Sequence, residues 1–183
     1  MITAAQIRRS VTKDAETESL KERLAHLRAQ RCPFFLNKAD FEEILRWKLR
    51  GQFGRQRARR AKNTSEIIRK VTRFALTIEH SDKEYELELR LAILCSLRGV
   101  DVPVASAVLA LVFPEQYAVI DFRGWRQVFN KDKSTFSIPD YKRYLANIRG
   151  WAAELGLQVQ QVDLDIWEYD RVQSANPRSA PTT

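Results

Sequence analysis

Cysteine is nearly absent from this chain: Cys32 and Cys95 are the only two in 183 residues. Two thiols so placed give no disulfide framework and no metal-ligand spacing. With His26 and His80 as the only histidines, no zinc site and no other metal or cofactor is expected. Cys95 lies in an apolar run and reads as a core residue. Glycine and proline are sparse, six of each, and strand-like alternation is rare, so helices are expected throughout. Long apolar runs are missing too. The longest, Val102 to Phe113, is too short to span a bilayer, so no membrane partner is expected. The opening MITAAQIRRS has no apolar core of a secretory signal, and the expected location is the cytoplasm.

What is present is a globular composition with an excess of positive charge. Hydrophobic residues make up 44% of the chain, enough for one domain with a sizeable core. The net charge is +8, which biases partners toward polyanions.

Residues 1–16 are polar and mixed in charge, and a flexible N-terminal arm is expected there. One helical domain is expected over residues 17–172, and a disordered tail, rich in Ser, Pro and Thr, over 173–183. Leu20, Leu24 and Leu27 predict a helix near residues 15–30, ended by Cys32-Pro33. Asn37 and Asp40 form a capping box for a second helix with Phe41, Ile44, Leu45 and Leu49 as its buried stripe. Arg46, Trp47 and Lys48 fall near its end.

The most basic segment follows. Arg50, Arg55, Arg57, Arg59, Arg60, Lys62, Arg69, Lys70 and Arg73 crowd residues 50–73 with one acid, Glu66. Such a run neutralises phosphates and releases counterions, or else is a solvated loop with no partner. Only Phe53 is interleaved, so base stacking by this loop is not expected. Asn63 and Glu66 form a second capping-box pattern, with Ile67, Val71, Phe74, Ala75 and Ile78 predicted as the buried face. A broadly apolar helix is predicted from about Lys83 to Leu97. After it, Arg98-Gly99-Val100-Asp101 makes a tight turn into an apolar helix. In that helix Ala105, Val108, Leu109 and Val112 share one face, and Pro103 suits the first turn. A Gly turn opening a helix points free backbone N–H groups outward, where they can receive a phosphate. A loop containing Pro114 then leads to Val119-Ile120-Asp121, which delivers a lone carboxylate at the start of a short helix with Trp125, Val128 and Phe129. Pro139 opens a long helix stopped at Gly156, and Val162, Leu164, Ile166 and Trp167 suggest one last short helix.

The stretch from Leu97 to Arg126 resembles the helix-hairpin-helix core of the endonuclease III superfamily of DNA glycosylases. The family's L-P-G-V-G-x-K-T-A is matched by Leu97-Arg98-Gly99-Val100-Asp101-Val102-Pro103-Val104-Ala105. Its V-D-T-H-V-x-R is matched by Ile120-Asp121-Phe122-Arg123-Gly124-Trp125-Arg126. The interval between the family's Lys and Asp equals that from Pro103 to Asp121. The resemblance implies an all-α, helix-hairpin-helix DNA glycosylase-like domain on double-stranded DNA, with Asp121 as the catalytic carboxylate; the sequence does not fix the oligomeric state, and a monomer is the expectation. It implies backbone contacts to DNA from Arg98, Gly99, Val100 and Asp101, with Arg126, Lys48, Arg55, Arg57, Arg59 and Arg60 as further phosphate ligands. Trp47 and Trp125 are the expected walls of a base pocket.

Three departures qualify the match. Pro103 stands where bifunctional members carry the attacking Lys, so a Schiff-base lyase step at that position is excluded. Asp101 puts a negative group where the family approaches phosphate. Phe122 and Arg123 replace the polar pair after the Asp. The expected activity is therefore hydrolysis of an N-glycosidic bond by a monofunctional enzyme, where a carboxylate stabilises an oxocarbenium-like transition state and orients water. The alternative is a non-catalytic scaffold that binds DNA or protein, with Asp121 as a plain helix cap.

Overall fold

The computed structural model describes residues 2–9 and 14–175, and among these every regular element is helical. The order is α1 (Ala4–Arg9), α2 (Ala15–Gln30), α3 (Lys38–Leu49), α4 (Arg57–Arg60) and α5 (Ser65–Thr77). Then come α6 (Lys83–Cys95), α7 (Val102–Val112), α8 (Phe122–Phe129), α9 (Ile138–Leu155) and α10 (Val159–Ala175). One 3-10 turn, Arg50–Gln52, links α3 to the segment that carries α4.

The organising helix is α7. Every residue in it except Pro103 is buried, as expected of a helix apolar on all sides. It is packed by α2, α3, α6 and α10. Pro103 lies in its first turn, and the Asp101 carboxylate accepts from Val104 N at 3.1 Å. α6 and α7 are joined by the tight turn over residues 96–101, with Gly99 at φ +78°, a region that favours glycine. A Cβ at Gly99 would also meet Arg60 Cγ at 2.8 Å.

Local signals in the sequence are realised at several ends. Asn37 and Asp40 form the capping box of α3. Ser137 and Asp140 do the same for α9, whose stop, Gly156, is left-handed. The predicted box at Asn63 is not formed. Thr64 caps α5 instead, accepting from Ile67 N at 3.2 Å. Asn63 is drawn to the hairpin, where it accepts from Arg98 N at 3.0 Å and donates to Arg98 O at 2.9 Å. The buried face of α5 shifts with it. Ile68, Thr72, Ala75 and Leu76 point inward, while Ile67 and Phe74, predicted as core, are 47% and 59% exposed. Thr72 holds the register by accepting from Leu36 N at 3.1 Å and donating to Ile68 O at 2.8 Å.

The chain ends also differ from expectation. Residues 2–9 are no loose arm: Ile2 and Ile7 are buried, and α1 packs on α9 and α10. Residues 10–13 of the expected arm lie outside the described residues. The last helix is long rather than short, running through residues 173–175 of the expected tail. Residues 176–183 lie outside the described residues. No helix among the described residues is long and apolar enough to cross a membrane.

The Asn63 clamp yields a stability test. Asn63→Ala leaves Arg98 N and O without their partner in a half-buried turn, which costs about 1–3 kcal/mol. Thr64→Ala, which removes only a helix cap, costs about 1 kcal/mol. Urea unfolding of both variants checks the order, and an Asn63→Ala loss no larger than that of Thr64→Ala would remove the clamp from this account.

Candidate functional site

The segment between α7 and α8 is a loop buried in the core. Tyr117, Ala118, Val119 and Ile120 are each at most 6% exposed. Their backbone polar groups must find partners inside the protein. Tyr141 of α9 donates its hydroxyl to Ala118 O at 2.9 Å. Asp163 of α10 accepts from Val119 N at 2.9 Å. Ser106 of α7 accepts from Ile120 N at 3.1 Å and donates to Pro103 O at 2.9 Å. Three helices thus hold three polar groups of two consecutive peptides, and the next residue is Asp121.

Asp121 caps α8. Its Oδ1 accepts from Arg123 N and Gly124 N, both at 3.0 Å. Its Oδ2 lies 3.7 Å from Lys48 Nζ, with the Asp121 side chain 20% and the Lys48 side chain 12% exposed. Lys48, which also reaches Ile120 O at 3.5 Å, comes from the end of α3 and brings an ammonium group to the carboxylate.

The two groups face a narrow cleft of about 90 Å³ between the end of α3, the buried loop and α10. Trp47 and Trp167 line it, with Arg50, Gln160 and Asp163. Trp47 is fixed by donating Nε1 to Thr17 Oγ1 at 2.9 Å, and Thr17 in turn donates to Asp14 at 2.6 Å. Trp167 carries the guanidinium groups of Arg50 and Arg123 over its ring at 5.8 and 5.7 Å. Arg50 closes α3 at φ +43°, a strained value for a residue other than glycine.

Behind Asp121 stands a second carboxylate. Asp163 is 5% exposed, and Tyr144 donates to its Oδ1 at 2.5 Å. Burial, with the charge of Asp121 adding, lifts the Asp163 carboxyl to about 7, although the hydrogen bonds from Tyr144 and Val119 N pull it down. Burial likewise pushes the Tyr144 phenol well up. Gly124 makes this arrangement possible, since a Cβ there would meet the Tyr144 hydroxyl at 2.2 Å.

The remaining expected site residues scatter. Trp125 is buried against Phe129 and Phe136, with ring centroids at 4.2 and 5.5 Å, and does not line the cleft. Arg126 chelates Asp170, with Nε at 3.0 Å and Nη2 at 2.7 Å. Arg123 joins it there at 2.9 Å. Arg98, Gly99, Val100 and Asp101 lie in the turn between α6 and α7, and its N–H groups are not all free. Val100 N donates to Leu97 O at 3.1 Å, and Asp101 occupies Val104 N. Arg55, Arg57 and Arg59 are exposed and make no ion pair with the described residues. Arg60 is folded in, over the Phe53 ring at 4.7 Å and against Gly99. Among the described residues no group of three metal-ligating side chains converges.

The sequence marks none of Asp163, Tyr144, Trp167 and Ser106 as a site residue; Trp167 is read there only as part of the last helix. No family model matches this chain, nor does any curated protein or solved structure.

Asp163 gives the site a pH signature. In the unfolded chain an Asp releases its proton near pH 4, while in the fold Asp163 keeps it to about 7. Between these values the folded state binds the extra proton, so stability falls as pH rises. At about 1.4 kcal/mol per decade, the loss is at most on the order of 4 kcal/mol. Asp163→Asn fixes the neutral form and should flatten that slope. Urea midpoints between pH 4.5 and 7.5 check it, and parallel curves for the two proteins would show that Asp163 does not titrate in this window.

Proposed function

We propose that this protein binds double-stranded DNA and hydrolyses the N-glycosidic bond of a damaged or modified base, as a monofunctional glycosylase of the helix-hairpin-helix type. The observation that carries the reading is the cleft itself: the Asp121 carboxylate opens onto a slot with tryptophan on two sides. A base rotated out of the duplex needs flat apolar walls and a charged group at the sugar. Trp47 and Trp167 supply the former, and Asp121 the latter. At 90 Å³ the slot has room for about three waters, so a base enters by displacing the Arg50 side chain from Trp167. As the base departs, positive charge grows on the sugar, and the Oδ2 edge of Asp121, which bonds no backbone N–H and faces Lys48, is the group placed to stabilise it.

The surface around the hairpin supports the DNA half of the reading. Asn63 and Arg60 tie the basic segment to the Arg98-Gly99 turn, so cations and turn form one face. Phosphates held there release counterions and make binding salt-dependent. Replacing Arg55 and Arg59 together with Ala should weaken duplex binding on all sequences and reduce the salt slope by about 2. A gel-shift titration with unchanged slope would take this segment off the DNA.

One observation favours a second reading, a binding scaffold without activity. Asp121 is already occupied on both edges, by two backbone N–H groups and by Lys48. The decisive assay is release of free base, or formation of alkali-cleavable abasic sites, from duplexes carrying alkylated, deaminated and oxidised bases. For a glycosylase, Asp121→Asn should lower base release by roughly 10²–10³ while keeping the cap. Full activity in that variant would end the catalytic assignment. No release by the wild type on any duplex leaves the scaffold reading, in which Asp121→Asn shifts stability by about 1 kcal/mol or less.

A further inference from the structure

A larger hollow, about 300 Å³, lies between α3 and residues 50–63. It shares no lining residue with the Asp121 cleft. Its size is where ligand pockets begin, roughly 300–1,000 Å³. Its floor is apolar, made by Phe41, Leu45 and Ile68, each at most 2% exposed. Its rim is cationic. Lys38, Arg46, Arg57 and Arg60 line it with a single carboxylate, Glu42, which is paired to Arg46 at 3.3 Å. Phe53 stands in the wall with the guanidiniums of Arg46 and Arg60 over its ring, at 5.4 and 4.7 Å, and its carbonyl accepts from Arg60. Asn63, also in the wall, spends one N–H and one lone pair on Arg98, which leaves its amide a second of each.

We propose that this hollow is a binding site for a nucleoside phosphate, distinct from the Asp121 cleft. The rim calls for a compact anion, and guanidinium groups in a cluster match phosphate oxygens. The half-buried Phe53 in the wall, above an apolar floor, calls for a flat, uncharged group against carbon. An inorganic anion leaves the floor uncovered, and an uncharged ring leaves the rim unpaired. Only a molecule with both parts uses both. The nucleoside phosphate is either free or the unpaired end of a strand; its chemistry at the hollow is the same.

The test is calorimetric titration of the full chain with a deoxynucleoside 5′-monophosphate, the corresponding nucleoside, inorganic phosphate and a short 5′-phosphorylated single strand. The mononucleotide should bind at least tenfold more tightly than phosphate or nucleoside alone. Ala61→Trp fills the hollow without altering charge, and Lys38→Glu reverses one rim charge at the first turn of α3. Each should weaken nucleotide binding tenfold or more, with circular dichroism confirming that both variants fold. A strand that binds more tightly than the mononucleotide, and loses that advantage in Ala61→Trp, identifies the ligand as strand-borne; equal affinities identify it as free. Phosphate binding as tightly as nucleotide, or Ala61→Trp binding like the wild type, would reduce the hollow to diffuse surface charge and overturn the proposal. No binding by either nucleotide or strand overturns it as well. The readout does not involve base release, so this site stands or falls apart from the glycosylase reading.

Discussion

A loop buried in a protein interior has no water to satisfy its peptides, and every other feature of the site follows from how this chain meets that constraint. Residues 117–120 run through the core between α7 and α8. A helix there would satisfy itself; an extended segment cannot. The protein answers with one side chain per polar group: Tyr141 for Ala118 O, Asp163 for Val119 N and Ser106 for Ile120 N. Losing any one leaves a buried donor or acceptor unpaired, at about 1–3 kcal/mol each. That is a large fraction of the 5–15 kcal/mol that holds a domain together. The loop is rigid for this reason, and Asp121 inherits the rigidity.

The same constraint explains why a carboxylate sits inside the core behind Asp121. An N–H donor at Val119 needs an acceptor, and α10 provides Asp163. A lone buried charge would be costly: burial favours the proton and lifts the carboxyl to about 7, outweighing Tyr144, which donates to the other oxygen and favours the charged form. Tyr144 in turn needs room at the first turn of α8, and Gly124 is the residue that leaves it. Ser106, Asp163, Tyr144 and Gly124 are thus one connected solution. They are spread over four helices, and none is interpretable without the others.

That distribution marks what could be read from the chain beforehand. All-helical architecture, the α3 capping box, the tight turn at Gly99, the apolar α7 and the cap at Asp121 all rest on neighbours within a few residues. Each was legible because its physics is local. Asn63 was misread for the same reason: a capping box is a local pattern, and Asn63 bonds to Arg98, 35 positions away. With Asn63 gone, the cap moved to Thr64 and the inward face of α5 turned, exposing Ile67 and Phe74. Trp125 and Trp167 show the limit on the site itself. Both are tryptophans on amphipathic helices, and only the packing of α8 and α10 decides that Trp125 meets Phe136 while Trp167 meets the cleft. Ile2 and Ile7 carry no periodic signal at all, yet both are core.

The geometry around Asp121 restricts the direction from which chemistry can reach it. Oδ1 faces the first turn of α8 and holds two N–H groups that would be unsatisfied without it. A reacting group that drew on this oxygen would uncap the helix, at about 1 kcal/mol, and would loosen Gly124 from Tyr144. Oδ2 is the edge that can serve without that loss, and Lys48 stands over it at 3.7 Å. This separation is too long for a hydrogen bond and short enough for strong attraction between charges with little water between them. A sugar that turns cationic as the base departs in the proposed reaction would therefore compete with Lys48 for one oxygen rather than bind beside it. In the proposed reaction the ammonium must yield as the sugar charge develops, and the position open to it is the departing base or the adjacent phosphate. On the proposed reading, the ion pair that screens Asp121 is the one that would give up its charge as the base departs, and Lys48 would act there through Asp121 rather than as one more surface cation.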